Sequence, residues 1–101
     1  MNEVEFRNWL IKNNVAHKVA SDTVSRLKRI EREIKNCDIN EQYRSDRCEY
    51  LLSLFLNMGN NEEMRRLSMG GFPIGKYYMS TYRYALKYYV RFCDETISNI
   101  L

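Results

Sequence analysis

The sequence predicts an all-α fold, a compact bundle of four to five helices. Three observations predict it. Apolar residues recur at helical spacing along almost the whole chain. Capping residues stand where the apolar stretches begin. Gly and Pro are confined to Gly59 and the run from Gly70 to Gly75. Strand signals are weak, and only Tyr77-Tyr78-Met79 reads as extended, too short to build a sheet.

The first helix is expected from about Asn2 to Asn13, with Phe6, Trp9, Leu10 and Asn13 on one face and Asn13-Asn14 ending it. The second is expected to begin at Ser21 or Asp22, both good N-caps, and to bury a stripe of Val24, Leu27, Ile30 and Ile34. His17 then falls in the loop between these helices. Asp38 with Glu41 three residues on is a capping-box pattern that opens a third helix. That helix is expected to turn Tyr43, Tyr50, Leu51, Leu54, Phe55 and Met58 inward and to stop at Asn57 to Gly59. A short helix follows, capped by Asn60 or Asn61, with Glu62 and Glu63 in its positive first turn and Met64 and Leu67 buried. Ser68 to Gly75 reads as a turn-rich loop. The last helix starts between Lys76 and Ser80 and runs close to Leu101.

A chain of 101 residues makes one domain, residues 1–101. At this size roughly 65% of the unfolded surface is buried, enough for a core without metal or disulfides. No apolar run approaches the ~20 residues that span a bilayer, and Met1 to Trp9 lacks the basic start of a secretory signal. Cys37, Cys48 and Cys93 are odd in number and show no CxxC spacing. They read neither as a zinc site nor as a disulfide framework, and reduced thiols in a cytoplasmic protein are the simplest account.

Charge is distributed unevenly. Between Met64 and Cys93 stand Arg65, Arg66, Lys76, Arg83, Lys87 and Arg91, with no Asp or Glu. The formal charge of +3 hides this, because the remainder sums to −3. Tyr77, Tyr78, Tyr82, Tyr84, Tyr88 and Tyr89 crowd into the same stretch. On the last helix Tyr82, Leu86, Tyr89, Cys93 and Ile100 point one way, flanked by Ala85, Phe92 and Ile97. Arg83, Lys87 and Arg91 fall on the other side at successive i,i+4 positions, with Tyr84 and Tyr88 beside them, and Lys76 and Ser80 extend the stripe if the helix starts early. Like charges at that spacing destabilise an isolated helix by a few tenths of a kcal/mol each. Cations release counterions from a nucleic-acid backbone, and rings stack on bases or sugars. The competing explanation is a tyrosine-rich core helix with a solvated cationic face. Helix two repeats the pattern more weakly: Lys28, Arg32 and Lys35 edge its stripe, Ser25 and Arg29 lie further round, and Glu31 and Glu33 offset the charge.

Signals for chemistry are missing. His17 is the only histidine, so no Cys-His pair is available, and the carboxylates show no nuclease or glycosidase spacing. The run Gly70-Gly71-Phe72-Pro73-Ile74-Gly75 lacks the GK[ST] of a phosphate loop. No catalysis by this chain alone, no metal and no cofactor are expected.

The order of signals resembles a known family. Phe6-Arg7-Asn8-Trp9-Leu10 opens the chain, Ser21-Asp22-Thr23-Val24 leads helix two, and a Cys37-Asp38-Ile39 connector follows. The run Tyr82-Arg83-Tyr84-Ala85-Leu86-Lys87-Tyr88-Tyr89-Val90-Arg91-Phe92 closes the chain. This pattern is similar to the N-terminal core-binding, SAM-like domain of tyrosine recombinases and phage integrases. Ser21 and Thr23 stand one residue closer than in the family pattern, and the stretch from Gly59 to Gly75 is longer. The resemblance implies a helical clamp on duplex DNA for recombination or integration. Lys28, Arg29 and Arg32 would face the duplex from one helix, and Arg83, Lys87 and Arg91 from the last. It also implies a separate catalytic domain as partner, so the chain reads as an excised domain or a small protein of a mobile element. The nucleic-acid site expected is therefore Lys28, Arg29, Arg32, Lys76, Arg83, Tyr84, Lys87, Tyr88 and Arg91. A second class stays open: a protein-interaction module or inhibitor docking a Tyr/Arg face on an acidic partner.

Overall fold

The computed structural model describes the backbone of residues 1–100 and the side chains of residues 1–96. Ile97 and Ile100, expected in the core, lie outside the described side chains. The described residues form six α-helices: α1 (Glu3–Lys12), α2 (His17–Glu33), α3 (Ile39–Asp46), α4 (Glu49–Ser53), α5 (Glu62–Leu67) and α6 (Ser80–Ile100). A turn at Leu56–Gly59, left-handed at Asn57 (φ 52°) and Met58 (φ 57°), and a 3-10 turn at Tyr77–Met79 complete the order, so Tyr77-Tyr78-Met79 is helical rather than extended. The fold is an all-α bundle. Among the described residues the sole β-type pairing is a lone bridge between Ile34 and Ser68.

α2 and α6 form the central pair, α1 lies on both, and α4 closes against α6. Phe6, Leu10, Leu27, Ile30, Leu86 and Tyr89 are fully buried between them. Each such side chain stabilises the fold by roughly 1.5–3 kcal/mol through removal of apolar surface from water. Phe6 meets Tyr89 edge-on at 5.0 Å and tilts against Phe92 at 5.5 Å. The Tyr89 phenol is satisfied twice: it accepts from the Asn2 amide at 2.9 Å and donates to Asn40 Oδ1 at 2.6 Å. A second cluster, Phe55, Phe72 and Tyr82, joins α4 and the 68–75 loop to the start of α6.

Two boundaries differ from the sequence expectation. α2 starts at His17, about one turn before Ser21, with Ala16 at its cap and no side-chain capping bond. Ala20 is fully buried one turn ahead of Val24, and burial of that face outweighs the capping preference of Ser21 and Asp22. Ser21 is exposed, Asp22 pairs with Lys18 at 3.8 Å, and His17 is helical rather than in a loop.

The expected third helix is two helices. Arg47 (φ 56°) and Cys48 (φ 64°) are both left-handed and break it. The amides of Arg47 and Cys48 return to Tyr43 O (2.9 Å) and Gln42 O (3.1 Å), a Schellman-type stop built without glycine. Cys48 is fully buried by this turn. The new direction of α4 buries Leu51, Leu54 and Phe55 as expected but leaves Tyr50 and Met58 exposed. The caps at Asp38 and Asn61 hold: Asp38 accepts from the Asn40 and Glu41 amides, and Asn61 from Met64. Gly59 is required where it stands. Its φ is +75°, and an added Cβ would sit 2.9 Å from Met79 Cε.

Candidate nucleic-acid interface

α6 carries the site from the residues upward. Its core arc of Tyr82, Ala85, Leu86, Tyr89 and Phe92 is buried, which turns the opposite arc to solvent. Lys87 and Arg91 are exposed there, and Arg83 is half-buried. Lys76, Arg83, Lys87 and Arg91 form no ion pair among the described residues. From Arg83 to Arg91 the stripe covers ~12 Å of helix axis. That length spans three to four phosphates on one strand of a duplex at about 3.4 Å each.

Aromatic rings lie among these cations. The Lys87 ammonium stands 5.8 Å from the centre of the Tyr84 ring. The Arg91 guanidinium lies over both Trp9 (5.6 Å) and Tyr88 (5.9 Å). Tyr84 is 61% exposed and Tyr88 is half-buried. Trp9 was expected on one face of the first helix with Phe6, Leu10 and Asn13. Its ring packs on Phe6 and Phe92 and supports Arg91 as well. Pairing across two helices leaves no trace in local spacing, so the sequence carried no signal for it. Arg83 departs from the stripe: it lines a hollow with Glu49, Leu52, Ser53 and Leu56, and its buried Nε has no hydrogen-bond partner.

The cations of α2 have a different fate. Arg29 donates to Tyr82 Oη at 2.9 Å and to the Gly71 carbonyl, and its guanidinium lies 5.9 Å from the Phe72 and Tyr82 ring centres. Glu33 accepts from the Gly71 amide at 3.0 Å, so the two side chains hold both polar groups of Gly71. The Met69 amide bonds Glu33 O at 2.7 Å and the Lys35 amide bonds Leu67 O at 2.9 Å, pinning the 68–75 loop to the end of α2. Lys28 pairs with Glu3 at 3.3 Å and Arg32 with Glu33 at 3.6 Å. Ser25, Arg26, Lys28, Arg29 and Arg32 line an open hollow whose only contribution from α6 is Tyr82. Arg26, absent from the expected site, faces that hollow and has no ion pair among the described residues. Among the described residues, that hollow includes neither Lys87 nor Arg91.

The remaining chemistry is quiet. Burial pushes the Cys37 and Cys48 thiols up to about 12 and Cys93 up to about 11, which keeps them protonated at neutral pH. Among the described residues no cluster of His, Cys, Asp or Glu is suited to a metal ion, and no helix is long and apolar enough to cross a membrane. No family model matches the chain, and no curated protein or solved structure is significantly similar to it.

Proposed function

We propose that this chain is a non-catalytic DNA-binding module that contacts phosphates through the α6 stripe. The observation that carries the reading is the state of Lys76, Lys87 and Arg91: exposed, next to tyrosines, and without a carboxylate partner among the described residues. Cations without a carboxylate partner meet phosphate without first giving up an ion pair, and each one that does so releases counterions from DNA. Phosphate contacts position a protein on DNA without reading its sequence, so limited base preference goes with this reading. The resemblance to the integrase core-binding domain points the same way and brings in a recombinase catalytic domain as the natural partner.

The test is fluorescence anisotropy of a ~25-base-pair duplex titrated with the protein at several salt concentrations, a length exceeding two helical turns. Saturable binding that falls linearly in log–log with salt is the expected result. Absence of binding at low salt by folded protein, to duplex and to single strand alike, would overturn it. A protein partner is the second reading, favoured by the exposed Tyr77–Tyr78 pair, since tyrosine and arginine are common interface anchors.

A further inference from the structure

We infer that the DNA this face takes is an unpaired single strand, its bases stacking on Tyr77 and Tyr84 while Lys87 and Arg91 hold the phosphates. The inference rests on the DNA-binding reading above and specifies the form of the ligand.

Three observations lead to it. The first is the number of walls. A clamp around a duplex needs cations on two sides, but Lys28 and Arg32 are ion-paired and Arg29 is turned into the fold. Arg26 keeps its charge in the α2 hollow, but the cations set against exposed or half-buried tyrosine rings, Lys87 and Arg91, stand on α6 alone, a track one helix wide that suits one strand.

The second is ring exposure. Tyr77 is 82% exposed, Tyr84 61% and Tyr78 44%. None of these phenols makes a hydrogen bond among the described residues, and the rings meet only each other, Tyr77 on Tyr78, or a cation, Lys87 over Tyr84. In a duplex the base faces are covered by neighbouring pairs, and an exposed ring reaches only sugar and phosphate. Unpaired bases present a free face to an aromatic side chain, whatever their identity.

The third is register. Tyr77 stands seven residues before Tyr84, in the 3-10 turn that leads into α6, and both rings are exposed. They are ~12 Å apart along the axis, counting the 3-10 turn. The Lys87 ammonium is already held against the Tyr84 ring, and Arg91 against Tyr88. Ring and cation thus alternate along the face as base and phosphate alternate along a strand.

The experiment compares a labelled ~25-nucleotide oligo-dT, longer than one small domain covers, with a duplex of the same length. Both are titrated by anisotropy at matched salt with the wild-type protein, the Tyr77→Ala/Tyr84→Ala double variant and the Tyr77→Phe/Tyr84→Phe double variant. Circular dichroism confirms folding, which exposed positions should not disturb. Oligo-dT is expected to bind more tightly than duplex. The alanine pair is expected to weaken oligo-dT binding by about tenfold or more, because each stacked base contributes measurably. Its salt slope and its duplex binding should stay unchanged, and the phenylalanine pair should bind like wild type. Equal or tighter duplex binding, with both tyrosine variants unaffected, would overturn the single-strand inference and leave DNA binding standing. Failure of both ligands to bind at low salt would overturn the DNA-binding reading and this inference with it.

Discussion

α2 and α6 carry the same kind of side chain at the same kind of spacing, and the fold uses them in opposite ways. On α2, Arg29 is tied to Tyr82 and Gly71, Lys28 to Glu3, and Arg32 to Glu33. On α6, Lys87 and Arg91 rest on aromatic rings and meet no carboxylate among the described residues. A paired cation is already partly neutralised, whereas one on a ring keeps its full charge for a ligand. Availability, rather than the number of charges, separates the two helices.

The contrast breaks most directly at α6. Replacing Lys87 and Arg91 together by alanine is expected to lower DNA affinity by about tenfold or more in moderate salt and the salt slope by about two, counting one counterion per side chain. Anisotropy titrations across salt measure both, and unchanged affinity would remove the stripe from the site. Arg29→Ala should act on the other side of the comparison. Losing its bonds to Tyr82 and Gly71 is expected to destabilise the fold by about 2 kcal/mol in urea melts. DNA affinity of the folded fraction should be unaltered, and a stable variant with weak binding would reverse the assignment.

A smaller effect is expected where α3 meets α6. Asp94 accepts from Tyr43 Oη at 2.6 Å and from Arg47 Nη2 at 2.5 Å. The Arg47 hydrogen bond is the main cause that holds the Asp94 carboxyl below 3.8. Burial and the Asp94 hydrogen bond push the Tyr43 phenol up to about 12. A depressed carboxyl stabilises fully above its unfolded value and loses that contribution as pH falls through its folded value. Asp94→Asn should therefore lower stability by about 1 kcal/mol at neutral pH. Wild type and variant should converge in acid, as pH falls through the lowered folded value of the Asp94 carboxyl. Thermal melts across pH would show this, and a constant difference down to the acid limit would contradict it. The smallest effect belongs to Lys28→Ala with Arg32→Ala, expected to change DNA affinity by less than about twofold with the salt slope intact, because both cations are already paired. A slope lowered by about two would restore α2 as a second wall.

Much of the fold was legible in the sequence. The apolar stripe of α2, the caps at Asp38 and Asn61, and the buried arc of α6 all follow from periodicity and short-range hydrogen bonding. Two features were not. The break at Arg47-Cys48 has no glycine to announce it, and two residues hold left-handed backbone because the turn buries Cys48 and lets Arg47 reach Asp94. The start of α2 was hidden because Ser21 and Asp22 are better caps than Ala16, and packing of Ala20 prevailed.

The sequence alone determined the all-α class, the stripes and the concentration of cations and tyrosines between Met64 and Cys93. Those depend on residue type and on neighbours within a turn or two. Tertiary structure decided which cations stay available. Glu3 lies 25 residues before Lys28, Gly71 lies 42 after Arg29, and Trp9 meets Arg91 only when α1 docks beside α6. An ion pair or a ring contact depends on distance in space, and that distance exists only after the chain has folded.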